Sequence, residues 1–172
     1  RQLGIKTSKR DELLAHIIAE KNLKLIAVAG THGKTTTTGM IVWLAKYFNI
    51  PVSYSVGTTL SWGPSGKYTP GSEYFVYECD EFDRNFLHFE PYLSLVTSVE
   101  HDHPDTYPTA DEYNAAFRQF ASQSETLVTW RNLEHVFEQA DNVHYLDTVD
   151  PRLTLHVDHN RGNASLILAA VK

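Results

Sequence analysis

Residues 30–36, GTHGKTT, combine two glycines, a lysine and paired threonines in an order that suits phosphate binding. Gly30 and Gly33 allow a tight turn and bring backbone N–H groups close to phosphate oxygens. Lys34 supplies a positive charge for the outer phosphates, and Thr35 supplies a hydroxyl for Mg²⁺. The loop is shorter than the usual G-x-x-x-x-G-K-[ST] pattern, because Val28 stands where its first glycine would be. Glycines that merely turn a strand into a helix are the alternative, but the order of residues favours nucleotide binding.

A carboxylate cluster, ECDEFD, follows an apolar run at residues 78–83. Glu78 would face the phosphates if its strand neighbours the strand that leads into the loop, and a triphosphate requires a divalent cation with oxygen ligands. Asp80, Glu81 and Asp83 follow too closely for all of them to converge on one point. Some of them are therefore expected to be solvated charges or helix caps.

Two histidines follow a second apolar run, in the segment EHDHPD. His101 and His103 lie two residues apart, so they share a face of an extended chain. Three interpretations remain open from the residues alone. They are a site for a divalent cation shared with the nearby acids, a zinc site, and simple turn formation before Pro104.

The third polar segment is DHNRGNAS, residues 158–165, which precedes an apolar helical run. It is compatible with an ordinary helix cap. Asparagine amides also donate and accept hydrogen bonds together, which suits the edge of a purine.

Alternating strands and helices are predicted to position these segments. The pattern predicts an α/β domain with a mainly parallel sheet between helices in three α/β/α layers, and a small antiparallel portion near residues 143–157. In such sheets, ligands bind at the carboxyl ends of the strands. The predicted strands are 24–29, 52–56, 73–80, 92–100, 126–130, 143–146 and 152–157, and the predicted helices are 11–20, 35–48, 109–122, 132–140 and one from about 160.

Local signals refine three of these helices. Thr7 or Ser8 is expected to cap the first helix, whose Leu13, Leu14, Ile17 and Ile18 form its apolar face. Thr109, followed three residues later by Glu112, begins the third helix. The spacing of Trp43, Tyr47 and Phe48 predicts core positions.

Composition limits the class of protein. A length of 172 residues suits one domain, and a net charge of −6 without a basic stripe argues against nucleic acid as a partner. The single cysteine, Cys79, excludes an intramolecular disulfide, and the apolar runs are too short to cross a bilayer. The sequence thus predicts a cytoplasmic domain without membrane contact. Its ends are expected to be cuts within a longer protein.

GTHGKTTTT resembles the ATP loop of the Mur ligases, which build the peptide stem of bacterial cell-wall precursors. The resemblance continues through residues 78–109 and ends with HNRGNASLILAA at 159–170. It implies that residues 11–172 are the central ATP-binding domain, with residues 1–10 linking it to a missing N-terminal domain. It also implies that a C-terminal domain is missing.

The resemblance assigns roles to individual residues. ATP would be bound by Lys34 and by a set that comprises Gly30, Thr31, His32, Gly33, Thr35, Thr36, His159, Asn160 and Asn163. Glu78, with Thr35, would bind one Mg²⁺ and His103 a second, with Asp102 orienting His103. Lys34, Glu78 and His103 would be the catalytic residues. Some relatives use a carbamylated lysine instead, but residues 68–171 contain no lysine. The roles of His101 and of the loop 57–72 stay open.

The implied reaction is ATP-dependent amide formation through an acyl phosphate, in the branch that joins L-alanine to UDP-N-acetylmuramate. One alternative is a recycling ligase that joins a tripeptide to the same sugar nucleotide, and another is a non-catalytic ATP-binding module. The isolated chain is expected to be inactive, because the sugar nucleotide and the amino acid would bind the missing domains. The oligomeric state and the identity of the added amino acid do not follow from the sequence.

Overall fold

The computed structural model describes residues 7–171, which form one seven-stranded sheet with helices on both faces. The strands are β1 (Lys24–Ala29), β2 (Val52–Ser55), β3 (Gly66–Lys67), β4 (Tyr74–Glu78), β5 (Leu93–Val96), β6 (Thr126–Trp130) and β7 (Val143–Leu146). The α-helices are α1 (Arg10–Glu20), α2 (Lys34–Tyr47), α3 (Ala110–Gln123), α4 (Glu134–Phe137) and α5 (Asp158–Ala170). Two 3₁₀ segments cover Phe82–His88 and Arg131–Leu133.

The strand order is β3-β2-β4-β1-β5-β6-β7, and every pairing except β2–β3 is parallel. β1 therefore lies at the centre, between β4 and β5. Val28 pairs with Glu78 on one side and with Leu95 on the other. The segments that follow these three strands consequently meet at one edge, which confirms the predicted α/β fold. The pairing of β1 with β4 also meets the condition under which Glu78 would face the loop.

Burial of apolar side chains from alternate strand positions creates a core on each face of the sheet. Leu25, Ala27 and Ala29 of β1 belong to the larger core, which α1, α3 and α4 cover. Ile26 points into the opposite core, beneath α2 and α5. This alternation is the two-residue period of a strand, and it produces the predicted three layers.

Two sheet predictions are wrong. Residues 152–157 form no strand, and α5 begins soon after them, at Asp158. β7 pairs with β6 in parallel, so the antiparallel portion is not near residues 143–157. It lies instead at the opposite edge, where Tyr54 of β2 pairs with Lys67 of β3. The apolar residues at 153, 155 and 157 alternate as in a strand, but no sheet edge accepts them.

Helix details also differ from prediction. Lys9, rather than Thr7 or Ser8, is the N-cap of α1, and Glu12 accepts a hydrogen bond from its backbone N–H. Trp43, Tyr47 and Phe48 lie in a ring-to-ring cluster on the exposed face of α2, so the core prediction for them is wrong. Their mutual contacts shield part of their surface without bringing them into the core.

Of two further helix predictions, one is confirmed and one is wrong in part. Thr109 caps α3 as predicted, by accepting a hydrogen bond from the Glu112 N–H. In α1 the predicted apolar face is wrong at Leu13 and Ile17, which are exposed, whereas Ile18 is buried. None of the helices described between residues 7 and 171 has the length and apolar character needed to cross a bilayer.

Candidate functional site

The loop between β1 and α2 has a backbone that only glycine accommodates easily at two positions. Gly30 has φ +129°, and a Cβ atom there would lie 2.4 Å from Thr97 Oγ1 and 2.8 Å from the Ser98 carbonyl oxygen. Gly33 has φ +85° and is the N-cap residue of α2. The N–H groups of the first turn of α2 therefore lie directly at the loop, and they form the positive end of a helix dipole.

Thr31 and His32 form hydrogen bonds that connect the loop to the segment after β5. Thr31 Oγ1 accepts the Glu100 N–H at 2.9 Å and lies 3.0 Å from the Tyr113 hydroxyl. The His32 N–H donates to Ser98 Oγ at 2.9 Å. The side chain of Thr31 thus supports the loop from inside the protein, whereas the side chains of His32 and Thr36 are exposed.

Thr35 and Glu78 form the first pair that could hold a cation. Thr35 Oγ1 lies 2.7 Å from Glu78 Oε1, and Glu78 Oε2 accepts the Gly57 N–H at 2.7 Å. Two cis ligands of an octahedral Mg²⁺ ion, each about 2.1 Å from the metal, are about 3 Å apart. The two oxygen atoms therefore fit one magnesium ion, and the remaining positions are available to water and phosphate.

Lys34 lies in a buried ion pair with Glu81, a residue that the sequence analysis left among the surplus carboxylates. The ammonium group donates to Glu81 Oε1 and Oε2 at 3.0 and 2.9 Å, and to the Gly30 carbonyl oxygen at 2.7 Å. Glu81 is only 1% exposed. Asp83, by contrast, is exposed and pairs with Lys9, as expected for a solvated charge. No sequence pattern separated Glu81 from its acidic neighbours.

His103 joins the same group from the segment after β5. Its Nε2 lies 3.4 Å from Glu81 Oε1 and 3.8 Å from Asp102 Oδ2. Asp102 Oδ1 also accepts the backbone N–H of His103 at 2.7 Å, and this hydrogen bond lowers the pKa of Asp102. This contact fixes a backbone with φ +54° at His103. Asp102 therefore positions the residue through its main chain.

His101 does not share a ligand with His103. Its Nε2 lies 2.8 Å from the Tyr107 carbonyl oxygen, which favours the interpretation of His101 as a structural residue. Within residues 7–171, no three histidine, cysteine, aspartate or glutamate side chains form a group that could hold a metal ion. Magnesium, which keeps several waters, requires fewer protein ligands than zinc does.

A cleft of about 510 Å³ opens beside the loop, between the ends of β5 and β6 and the first turn of α5. Asn163 lies against the loop, because a Cβ atom on Gly33 would be 3.1 Å from Asn163 Oδ1. His159 lines the same cleft, whereas Asn160, which is half-buried, lies outside its lining. The structure thus brings two of the three predicted residues of this segment to the loop.

Trp130 is a second residue that the sequence analysis missed. It ends β6 and lines the cleft, and a Cβ atom on Gly162 would lie 3.4 Å from its Cζ2. An aromatic ring in the wall of a polar cleft suits contact with a flat base. The position of Trp130 at the carboxyl end of a predicted strand was the available signal.

Two further features border the site. A cavity of about 220 Å³ adjoins the Thr35–Glu78 pair and is lined by Arg10, Lys34, Gly57 and Asp80 among others. Cys79 is fully buried between the acidic residues, and burial raises the pKa of its thiol. A nucleophilic role for Cys79 is therefore disfavoured.

Comparisons with known proteins agree with this geometry. The family model described as the Mur ligase middle domain matches residues 28–150. UDP-N-acetylmuramate--L-alanine ligase of Syntrophomonas wolfei is 42% identical over 123 residues, which are 72% of this chain and 26% of the relative. The enzyme of the same name from Carboxydothermus hydrogenoformans is 42% identical over 139 residues, 78% of this chain and 29% of the relative. The chain thus spans about a quarter of the length of these relatives.

Solved structures share the fold. A UDP-N-acetylmuramate:L-alanyl-gamma-D-glutamyl-meso-diaminopimelate ligase from Neisseria meningitides superposes with a TM-score of 0.83 at 21% identity, over 99% of this chain and 67% of that one. UDP-N-acetylmuramate-alanine ligase from Thermotoga maritima gives a TM-score of 0.78 at 21% identity, over 93% of this chain and 44% of that one. At this level of identity the likeness concerns the fold.

Proposed function

The chain belongs to the Mur ligase family, and from this premise we propose that it is the ATP-binding domain of a ligase that joins L-alanine to UDP-N-acetylmuramate. In this proposal residues 11–172 form the middle domain and residues 1–10 link it to a domain that binds the sugar nucleotide. A further domain would bring the amino acid. Relatives about 40% identical that carry this activity in their names support the choice of substrates.

The observation that carries the proposal is the meeting of three separate sequence segments at one edge of the sheet. Lys34 and Thr35 come from the loop, Glu78 from the end of β4, and Asn163 from α5. We place the adenine of ATP in the cleft beside Asn163 and Trp130, and the phosphates over the N–H groups of the loop. The last phosphate then lies toward the small cavity beside Glu78.

The proposed reaction has two steps. The carboxylate of the acceptor attacks the γ-phosphorus of ATP, the bond to the β–γ bridging oxygen breaks, and an acyl phosphate and ADP result. The amine then attacks the acyl carbon, phosphate leaves, and the ammonium proton passes to solvent. Positioning and charge neutralisation dominate such transfers, so the Lys34 ammonium would balance charge on the phosphates.

Thr35 and Glu78 would hold one Mg²⁺ ion, because their oxygen atoms have the spacing of cis ligands. Bound there, the ion would neutralise phosphate charge and orient the γ-phosphate. The structure places His103 Nε2 beside Glu81 Oε1, an oxygen atom that also accepts a hydrogen bond from Lys34. The assignment of His103 to a second ion remains a prediction from the family resemblance.

A second candidate is the recycling ligase. The Neisseria structure, named for a tripeptide acceptor, has a TM-score of 0.83 with this chain. The sequence relatives at about 40% identity favour L-alanine instead. A non-catalytic ATP-binding module is the third candidate, and the Thr35–Glu78 pair beside Lys34 disfavours it.

The test uses the full-length protein that carries this domain, with Mg-ATP and UDP-N-acetylmuramate. ADP release is followed with L-alanine, glycine, L-serine, the tripeptide and no amine. We expect release that depends on L-alanine and that Lys34→Ala reduces about 100-fold or more, because the charge balance at the γ-phosphate is lost. Release that depends on the tripeptide would assign recycling. ATP binding without acceptor-dependent release would leave only the binding module.

A further inference from the structure

Glu81 differs from the other carboxylates near the loop because it is buried and paired on both oxygen atoms. The Lys34 ammonium contacts Oε1 and Oε2 at 3.0 and 2.9 Å, and His103 Nε2 lies 3.4 Å from Oε1. An ammonium group has three N–H donors, and the third one points to the Gly30 carbonyl oxygen. All donors of Lys34 are therefore engaged by the protein itself.

The backbone of Glu81 is fixed as firmly as its side chain. Its carbonyl oxygen accepts the Tyr107 hydroxyl at 2.5 Å and the Arg84 N–H at 3.1 Å. Tyr107 follows His103 in the segment after β5 and is fully buried. Glu81 thus connects three pieces of the site: the phosphate loop, the end of β4 and the histidine segment.

We propose that Glu81 is a positioning residue that holds Lys34 over the loop and then shares it with the nucleotide. This inference rests on the proposed function in taking ATP as the ligand. A triphosphate needs at least one N–H donor of Lys34. Lys34 can release one of its two hydrogen bonds to Glu81 for this purpose, provided that the carboxylate keeps another partner. His103, on the Oε1 side, supplies that partner.

The charges make the inference testable, because Glu81 should have little effect on ATP affinity when Lys34 is present and should weaken ATP binding when Lys34 is absent. With Lys34 present, the carboxylate aims the ammonium group and is neutralised by it. With Lys34 replaced by methionine, the carboxylate is buried, unpaired on one side and close to an incoming polyanion. Removal of one partner from a buried pair leaves the other charge uncompensated, and removal of both relieves it.

A double-mutant cycle on nucleotide binding measures this coupling in the full-length protein. ATP affinity without acceptor is determined by calorimetry for wild type, Lys34→Met, Glu81→Gln and the double variant. We expect Lys34→Met to weaken binding about tenfold or more, and the added Glu81→Gln to recover about threefold or more. Melting temperatures of all four proteins are measured as well, because relief of the buried charge can also restore stability.

Turnover gives the second readout. Glu81→Gln alone should change ATP affinity less than about threefold, because one acceptor oxygen remains and a repelling charge is lost. Acceptor-dependent ADP release at saturating ATP should fall about tenfold or more, because Lys34 is no longer aimed. Asp83→Asn is the matched control: it removes a charge two residues away at an exposed position with φ +51°, which asparagine tolerates. It should leave both quantities within about twofold of wild type.

Three results would overturn the inference. They are a double variant that binds ATP no better than Lys34→Met, a Glu81→Gln variant with turnover within twofold of wild type, and a parallel fall of its turnover, affinity and melting temperature. If the Lys34→Met proteins do not fold, the Glu81→Gln measurements decide alone. Wild-type protein without acceptor-dependent ADP release would refute the ligase proposal, and the binding cycle would still test Glu81.

Discussion

Gly30 provides the strongest test of the loop geometry, because a side chain there meets both conformational strain and crowding. Its φ of +129° is a region that L-residues rarely adopt, and a Cβ atom would lie 2.4 Å from Thr97 Oγ1 and 2.8–2.9 Å from two backbone atoms of Ser98. A non-glycine residue in such a sparsely populated region costs about 1–2 kcal/mol. Overpacking against neighbours that include backbone adds about 1–3 kcal/mol. Gly30→Ala should therefore lower the free energy of unfolding by about 2–5 kcal/mol.

Gly71 is the matched control. It has φ +80°, and a Cβ atom there would have no heavy atom within 4 Å. Gly71→Ala should thus show the conformational effect alone, about 1–2 kcal/mol. In urea, with a slope of about 2 kcal/mol per molar, the two midpoints should fall by about 1–2.5 M and about 0.5–1 M. The same variants are compared for ATP affinity, which only Gly30→Ala should weaken.

Equal midpoints for the two variants would refute this reasoning, because the crowding around Gly30 would then have no energetic effect. So would a stable Gly30→Ala variant that binds ATP as wild type does, since the backbone N–H groups could then reach phosphate without glycine at this position. A change of the urea slope in only one variant would make the midpoints incomparable. Thermal unfolding then supplies the comparison.

Other contacts predict distinct behaviour. Asn163, which lies against Gly33, is proposed to hydrogen-bond the nucleotide, so Asn163→Ala should weaken ATP binding about tenfold with little change in melting temperature; calorimetry checks this. Glu78→Gln should weaken the Mg²⁺ dependence of ATP affinity, so that adding EDTA changes the affinity of the variant less than that of wild type. Burial raises the pKa of Tyr107 to about 12, so the neutral phenol stabilises the fold below pH 10 and this stabilisation is lost as pH rises to about 12. Between about pH 10 and pH 12, the free energy of unfolding of Tyr107→Phe should therefore fall by about 2 kcal/mol less than that of wild type, as measured by urea titration. The same pH profile of stability in both proteins would contradict this.

The central part of the fold follows from local signals in the sequence. The apolar run at Lys24–Ala29 and the glycine turn after it predict a buried strand and a helix start, and both are present. The wrong strand at 152–157 also has an alternating apolar pattern, but a strand forms only where a partner offers hydrogen bonds. Whether β7 presents such an edge depends on the whole sheet, which local periodicity does not describe.

The same limit applies to the site, and Glu81 shows why. ECDEFD offers four carboxylates in six residues, and their chemistry alone does not rank them. The 3₁₀ segment after β4, with left-handed backbone at Asp83 and Arg84, leaves Asp83 in solvent, while Glu81 is buried against Lys34. Burial makes this pairing important, because a charge removed from water must keep its partner. In our proposal, the buried Glu81 carboxylate pairs with the Lys34 ammonium group before ATP binds. The recovery of ATP affinity in the double variant would measure the energetic effect of this pairing directly.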